Sequence, residues 1–163
     1  MKKNKGFSLV ELIIVIAIMA ILAAAIAPAL IRYIDKSRKA DDIAAAETVN
    51  TAVQTSMSNE DAYDDIMAHM DGEPFATAAQ EGTFTVVSGK MDNGGANFLP
   101  EVNSNLGGKA PKLKYRKDLE GKTWKPGGWA IGATNGKPIV WITDGSNVAN
   151  RVEVQPSIDK AYK

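Results

Sequence analysis

An apolar segment near the N-terminus constrains this chain more than any other feature of its sequence. It runs from residue 7 to residue 31, and 20 consecutive uncharged residues follow its single charged residue, Glu11. As an α-helix with ~1.5 Å rise per residue the segment reaches about 37 Å, whereas the hydrocarbon core of a bilayer is about 30 Å thick. It is apolar on all sides, which is typical of a helix in lipid. We therefore expect residues 7–31 to form a membrane-spanning helix.

Two other interpretations of this segment stay open from the residues alone. A secretory signal peptide also has basic residues before an apolar stretch, and the alanine run at residues 23–27 offers a cleavage site, but roughly 7–15 apolar residues suffice for that signal. A plain single-span anchor explains the length but not Glu11. Because a carboxylate near the bilayer centre costs on the order of 2.5–3.5 kcal/mol, Glu11 either snorkels to the headgroups or finds a positive partner.

The residues around Glu11 resemble the N-terminus of a type IV prepilin. The hexapeptide GFSLVE at residues 6–11 follows a short basic leader and precedes the apolar helix, and Pro28 follows further along. In that family a membrane-embedded aspartyl prepilin peptidase cuts after the glycine and N-methylates the new first residue. The resemblance covers roughly residues 2–38. It implies cleavage between Gly6 and Phe7, N-methylation of Phe7, an assembly role for Glu11 and Phe7, and a helix kink at Pro28.

The resemblance also implies how the chain is divided. The expected parts are a leader at residues 1–6, a transmembrane or filament-core half-helix at 7–31, an amphipathic half-helix at 32–58 and a globular head at 59–163. Residues 32–58 contain no proline or glycine, and their apolar side chains recur on one face at spacings of three and four. Many members of the family have a disulfide near the C-terminus, but this chain has no cysteine. Packing, calcium or neighbouring subunits would then hold the head together.

The head is expected to be α+β, with a small antiparallel sheet lying on the second half of the long helix. Asn135-Gly136 between two apolar segments is the pattern of a two-residue β-hairpin. The expected elements are a short helix at 60–70, strands at 83–88, 129–134, 138–143 and 151–155, and a long loop at 89–108. Gly72 and Pro74 are expected to end the short helix.

Charge is balanced over the chain, with 19 basic and 19 acidic side chains, but it is unevenly distributed. An acidic face at residues 60–73 includes Glu60, Asp61, Asp64 and Asp65. A basic strip at residues 109–125 includes Lys112, Lys114, Arg116, Lys117, Lys122 and Lys125, with Tyr115 and Trp124 between them. The two surfaces could meet between neighbouring heads, or the strip could bind DNA through phosphate contacts and aromatic stacking. They could also be solvated, or touch within one chain.

No motif for catalysis or cofactor binding stands out. The chain has one histidine and no cysteine, and it shows no phosphate-binding loop, metal-ligand cluster or nucleophile motif. The segment Asp144-Gly145-Ser146-Asn147 offers oxygen atoms to a calcium ion, although a turn is its more ordinary role. We expect no enzyme activity, no cofactor and no metal.

With the resemblance, these features predict a type IV pilin, a structural subunit that is made as a cytoplasmic-membrane precursor and polymerises into an extracellular filament. In a bundle of identical helices, Glu11 of one subunit would pair with the new Phe7 amine of a neighbour, which relieves two buried-charge penalties. Pairing within one subunit is the alternative. The resemblance implies prepilin peptidase, an assembly platform and a motor ATPase as partners.

The task of such a filament would be motility, adhesion or DNA uptake. A pseudopilin of a secretion or competence system shares the same N-terminal signature and is the nearest alternative. A single-span membrane protein or a secreted soluble protein, each with a binding head, is the alternative of another class.

Overall fold

The computed structural model describes residues 7–91 and 95–163. Gly6, the residue before the expected cleavage site, lies outside the described residues. The elements are α1 (Leu9–Ser56), α2 (Glu60–Met67), β1 (Asp71–Ala79), β2 (Thr85–Val86), α3 (Phe98–Asn105), β3 (Gly128–Thr134), β4 (Lys137–Thr143), β5 (Arg151–Gln155) and a 3₁₀ turn (Lys160–Tyr162). The chain forms two compact units, an N-terminal unit that ends at Ser37 and a C-terminal unit that runs from Arg38 to Lys163.

α1 is one helix of 48 residues. Alanine, leucine and isoleucine dominate its sequence, glycine is absent from it, and these choices favour a continuous helix. Its bounds confirm the long helix expected from the apolar segment and the amphipathic segment together. In the C-terminal unit, α1 buries Ala46, Val49 and Val53, which confirms the predicted apolar face.

The C-terminal unit contains a five-stranded antiparallel sheet with the strand order β2-β1-β3-β4-β5. Thr134 of β3 pairs with Lys137 of β4, and the two residues between them, Asn135 and Gly136, have φ angles of 48° and 73°. Asn and Gly tolerate this left-handed conformation, which matches the twist of the two strands. The predicted hairpin and the α+β fold class are therefore confirmed.

The core of the C-terminal unit lies between α1, one face of the sheet and the two short helices. Its largest fully buried side chains include Trp129, Phe75 and Phe98, and the rings of Phe75 and Phe98 meet edge to face with centroids 5.6 Å apart. The opposite face of the sheet carries a smaller cluster of Ala130, Ile139 and Trp141. The sheet is thus buried mainly on the side that faces α1.

Three parts of the head differ from the sequence predictions. Asp71–Ala79 is a strand, although it contains Gly72 and Pro74; the pairing of β1 with β3 shifts register on both sides of Pro74, which accommodates a residue that has no N–H to donate. The segment expected to be a loop contains α3, whose Phe98, Leu99 and Val102 are buried. The strand expected at 83–88 is reduced to the two residues of β2.

Candidate functional site

The N-terminal end of α1 carries the two residues that the resemblance assigns to assembly, Phe7 and Glu11. The Leu12 N–H donates to the Ser8 carbonyl over 3.2 Å, so Ser8 is the N-cap of a helix that begins at Leu9. The Glu11 carboxylate, at the third helical position, accepts the Ser8 N–H over 3.0 Å. Glu11 therefore has a partner inside its own subunit.

This contact is one half of a capping box, in which an N-cap serine is followed three residues later by glutamate. The pattern Ser-x-x-Glu at residues 8–11 is a sequence signal for it, which an interpretation based on charge alone overlooks. The carboxylate satisfies an N–H that no helical carbonyl can reach, and its charge lies at the positive end of the helix dipole. The Ser8 N–H occupies Oε2, and a carboxylate has a second acceptor oxygen, so a cationic partner can bind Glu11 while this cap is kept.

The side chains of the N-terminal unit are left uncovered. None of the described residues 7–37 is buried, and Phe7 is 87% exposed. Within α1, an 18-residue window has a mean hydropathy of 3.0 and is long and apolar enough, by length and composition, to cross a membrane. The core helix of a soluble protein would be mostly buried, whereas this window is not buried at all. A signal sequence near the N-terminus would pass the same test. Apolar surface of this extent is normally covered by lipid or by other protein chains.

Pro28 lies inside α1, and the helix continues on both sides of it. Pro28 has no N–H to donate to the carbonyl of Ala24, four residues earlier, and this can interrupt a helix locally. α1 is nevertheless helical throughout Leu9–Ser56. The Arg32 Nε donates to the Pro28 carbonyl over 3.4 Å, one turn further along. A kink at Pro28 stays a prediction.

A buried carboxylate in α1 anchors two other parts of the C-terminal unit. Asp42 is fully buried, and its Oδ1 accepts the Lys114 N–H over 2.6 Å. Its Oδ2 accepts the Tyr115 N–H over 3.1 Å and the Tyr162 hydroxyl over 2.7 Å. We call this group the Asp42 clasp, made of Asp42, Lys114, Tyr115 and Tyr162. It joins the helix to the segment before β3 and to the C-terminal end of the chain.

Neighbouring contacts reinforce the clasp. The Lys39 ammonium donates to the Ala161 carbonyl over 2.8 Å and lies 5.3 Å from the centre of the Tyr115 ring. The Tyr115 and Tyr162 rings meet edge to face, 6.3 Å apart. Hydrogen bonds and a ring contact therefore hold the C-terminal 3₁₀ turn against the clasp.

The charge state of the clasp follows from its burial. Desolvation raises the pKa of Asp42 above its usual value, although the hydrogen bonds from Lys114, Tyr162 and Tyr115 oppose that shift. Desolvation and the nearby Asp42 also raise the pKa of Tyr162, so its hydroxyl stays protonated and donates. No sequence signal pointed to this group, because Asp42 and Tyr162 are 120 residues apart.

The basic strip follows an extended segment between α3 and β3. Lys112, Lys114 and Arg116 are exposed, whereas Leu113 and Tyr115 between them are buried. The Lys112 ammonium lies 3.1 Å from Glu81, and that of Lys114 lies 3.1 Å from Asp41. The other members of the strip, Lys117, Lys122 and Lys125, are also exposed. Since Tyr115 packs into the clasp, it cannot stack on a nucleobase.

The acidic face is smaller in the structure than in the sequence. Asp65 is buried, and its carboxylate accepts the backbone N–H groups of Asn97 and Phe98 over 2.6 and 3.0 Å. It therefore caps the N-terminal end of α3, where Asn97 provides no side-chain cap. Glu60, Asp61 and Asp64 are exposed on α2.

The segment considered for calcium forms a turn that uses its own carboxylate. Asp144 Oδ1 accepts from the Ser146 and Asn147 backbone N–H groups, and Oδ2 accepts from the Asn150 side chain over 2.6 Å. Burial disfavours its ionised form, but these hydrogen bonds outweigh that effect and lower the pKa of Asp144. Among the residues that the structure describes, no three metal-binding side chains come together.

Comparison with known proteins agrees with this geometry at the N-terminus. A family model described as the prokaryotic N-terminal methylation motif matches residues 1–27. A relative described as a fimbrial protein, from Moraxella nonliquefaciens, is 41% identical over 59 residues. The match covers 36% of this chain and 38% of that relative, so the chain matches well under half the length of the curated relative. No solved structure matches the chain significantly.

These matches confirm the resemblance to type IV prepilins in the segment that carries the methylation motif. Together with the long apolar helix and the small antiparallel sheet, they define a pilin-like α+β protein with a prepilin-type N-terminus. The basic strip, the acidic face and the clasp lie outside residues 1–27, and the motif match therefore does not assign them a role.

Proposed function

We propose that this chain is the structural subunit of a type IV pilus. The observation that carries the proposal is the methylation motif at the start of a helix whose membrane-length apolar surface is left uncovered. A polymer of identical helices would cover that surface with copies of itself, after the bilayer had covered it in the precursor. The proposal requires no catalytic step and no cofactor.

In this proposal the leader at residues 1–6 is removed by a prepilin peptidase, and Phe7 becomes an N-methylated terminus. The new amine is positive, and it lies in the sequence just before the helix that carries Glu11. The amine of one subunit would pair with the Glu11 carboxylate of its neighbour in an apolar bundle. This pairing offsets the free-energy cost of removing both charges from water. Because the contact joins different positions on the two helices, it sets an axial stagger.

The subunit would enter the cytoplasmic membrane as a precursor and leave it into a surface filament. An assembly platform and a motor ATPase would supply the work of extraction, since the exposed apolar helix is strongly held by lipid. Motility, adhesion or DNA uptake would be properties of the finished filament. A pseudopilin would use the same residues in a shorter polymer.

Substitution of Glu11 tests the assembly role while it preserves the capping role. In Glu11→Gln the side-chain carbonyl still accepts the Ser8 N–H, because glutamine also serves in a capping box, but the charge is lost. We expect Glu11→Gln and Glu11→Ala to abolish filaments in sheared surface material, examined by electron microscopy and immunoblotting, while the processed subunit accumulates in the membrane. Normal filaments from Glu11→Gln would leave Glu11 only as a helix cap and contradict the proposed pairing.

A Gly6 variant that resists cleavage supplies the complementary test. It is expected to keep its leader and to yield no filaments, since no amine forms at Phe7. Long filaments from this variant would contradict the proposed function. Short filaments from the unmodified chain, seen only when it is overproduced, would favour the pseudopilin.

A further inference from the structure

Each charged surface of the head adjoins one end of the part of α1 that belongs to the C-terminal unit, and we call these two ends the two levels. Lys114 is held beside Asp41 and Asp42, through its ammonium and its backbone N–H respectively. The acidic face begins at Glu60, four positions after α1 ends at Ser56. At ~1.5 Å per residue, Asp42 and Ser56 are about 21 Å apart along the helix.

Lys122 belongs to the same level as Lys114. It lines a surface hollow together with Lys160 and Ala161, and the Ala161 carbonyl is bound by Lys39 of α1. Glu120 and Asp159 line that hollow as well, so the positive charge there is partly offset. Over residues 109–125 as a whole, seven basic residues still face two acidic ones.

The structure shows which charges remain available for a partner. At the acidic level Asp65 is buried, Asp71 pairs with Lys90 and Glu73 pairs with Arg151. Glu60, Asp61 and Asp64 receive no ion pair from any residue in the described ranges, 7–91 and 95–163. They lie on the first turns of α2, and we call these three residues the α2 acidic turn.

The basic strip presents its charges as a row on a fixed backbone. Side chains two positions apart in an extended segment are about 6.5–7 Å from each other on the same side, which describes Lys112, Lys114 and Arg116. Asp42 holds this backbone at two N–H groups, and the Pro111 carbonyl accepts the Trp129 indole N–H over 2.8 Å. The row is therefore preorganised, which lowers the entropic cost of binding.

We propose that the basic strip of one head docks against the α2 acidic turn of the next copy in the filament. The proposal rests on the proposed function, because it requires a polymer. Two complementary surfaces at different levels of one subunit make a head-to-tail contact, and contacts of this type build open helical filaments. The same chain supplies both surfaces, so a polymer contains them in equal number.

A nucleic acid fits the strip less well than a second copy does. Tyr115, one of the two aromatic residues in the strip, is buried against Tyr162 and offers no stacking face. Lys112 and Lys114 already have carboxylates beside them, which interrupts the row of free positive charges that a continuous phosphate backbone would follow. An acidic helix turn can instead reach Arg116 and Lys122, which receive no ion pair from the described residues.

A charge swap in the full-length chain, expressed in its host, tests the contact. The acid-reversed variant is Glu60→Lys with Asp64→Lys, the base-reversed variant is Arg116→Glu with Lys122→Glu, and a third variant combines all four changes. We expect each reversed variant to lower the amount of sheared filament by roughly 10-fold or more, and the combined variant to recover most of it, because opposite charges face each other again. Ser88→Lys with Ser104→Lys, two exposed positions outside both surfaces, is the charge control and should assemble normally.

The outcomes separate this contact from its rivals. Wild-type amounts of filament from either reversed variant, or no recovery in the combined variant when its detergent-solubilised subunit melts normally, would overturn the proposal. Normal filaments from the base-reversed variant that no longer retain DNA would assign the strip to a polyanion instead. If the unmodified chain forms no filament, the proposed function fails and this inference falls with it, whereas loss confined to the two reversed variants concerns the contact alone.

Discussion

The two parts of α1 place an acidic side chain in opposite environments. In the N-terminal unit, Glu11 is exposed among exposed apolar side chains, and among residues 7–91 and 95–163 its carboxylate accepts one backbone N–H. In the C-terminal unit, Asp42 is fully buried, and three donors from distant segments surround it. Asp42 is satisfied within its own subunit, whereas we propose that a neighbouring subunit completes the contacts of Glu11.

The difference shows where each part of the molecule obtains its stability. The C-terminal unit buries a core of its own and satisfies its buried carboxylates Asp42 and Asp65 with donors from the same chain. None of the described residues of the N-terminal unit is buried, and its helix must take its environment from lipid or from other copies. Substitutions that act on folding should therefore concentrate in one unit, and substitutions that act on assembly in the other.

Removal of the Asp42 carboxylate should have the largest effect on folding. In Asp42→Ala the buried N–H groups of Lys114 and Tyr115 and the Tyr162 hydroxyl lose their acceptor, and we expect a loss of about 3–5 kcal/mol in the free energy of unfolding. Thermal or urea unfolding of the full chain in detergent measures it. Asp41→Ala, which removes the exposed neighbouring acid, is the matched control and should cost about 1 kcal/mol or less. Equal effects from the two variants would contradict the clasp.

A pair of identical substitutions compares the two units directly. Ile142→Ala removes a fully buried side chain from β4 and should lower the free energy of unfolding by about 2–5 kcal/mol. Ile16→Ala, at a site that is 56% exposed in the N-terminal unit, should leave the same unfolding transition in detergent unchanged. A large shift from Ile16→Ala would show that the head depends on the apolar helix for its folding.

The pH dependence of the head should reveal the burial of Asp42. Burial raises the pKa of Asp42 in the folded state, so the folded protein binds more protons than the unfolded chain at pH values just above the ordinary pKa of an aspartate. Stability from this group is therefore greatest at low pH and falls as pH rises through the folded pKa. The melting temperature of the wild type minus that of Asp42→Asn, measured from about pH 3.5 to pH 7, isolates that contribution. We expect this difference to decrease as pH rises. A difference that grows with pH would mean that the hydrogen bonds, and not desolvation, dominate.

Loss of one hydroxyl should have a smaller effect. Tyr162→Phe keeps the ring contact with Tyr115 but removes the hydrogen bond to Asp42, and we expect a cost of about 1–2 kcal/mol because the acceptor is charged or buried. Tyr33→Phe, at an exposed position of the N-terminal unit, is the control and should have no effect on unfolding. A neutral Tyr162→Phe would mean that the two backbone N–H groups suffice to hold Asp42.

The smallest effect is expected at the exposed ion pairs. Lys112→Ala removes the contact with Glu81, in which both side chains are more than half exposed, and should change the free energy of unfolding by less than about 0.5 kcal/mol. Urea titration with repeated measurements resolves this limit. A loss above about 1 kcal/mol would indicate that the basic strip supports the fold and is not free to serve a partner.

Local patterns sufficed for the parts of this molecule that local interactions determine. The apolar run predicted α1, Asn135-Gly136 predicted the turn between β3 and β4, and alternation at Val152 and Val154 predicted β5. The Ser-x-x-Glu capping pattern was also local and could have been recognised. The N-terminal methylation motif is a short contiguous sequence, which is why it was identified without a structure.

Long-range contacts explain what the sequence did not predict. β1 contains Gly72 and Pro74, and its place in the sheet depends on pairing with β3, whose paired residues are 49 to 63 positions away along the chain. α3 is capped by Asp65 from another helix, so the residues around Asn97 carry no cap signal of their own. The acidic and basic segments were visible as charge, but only the structure shows which of their members are already engaged.

The central claim is that proteolysis at the start of α1 creates the positive partner that Glu11 lacks. Mass spectrometry and N-terminal sequencing of the subunit from sheared surface material test it most directly. We predict a mature chain that begins at Phe7 and carries one methyl group on its amine. An intact Met1, or a start within the alanine run at residues 23–27, would contradict the account.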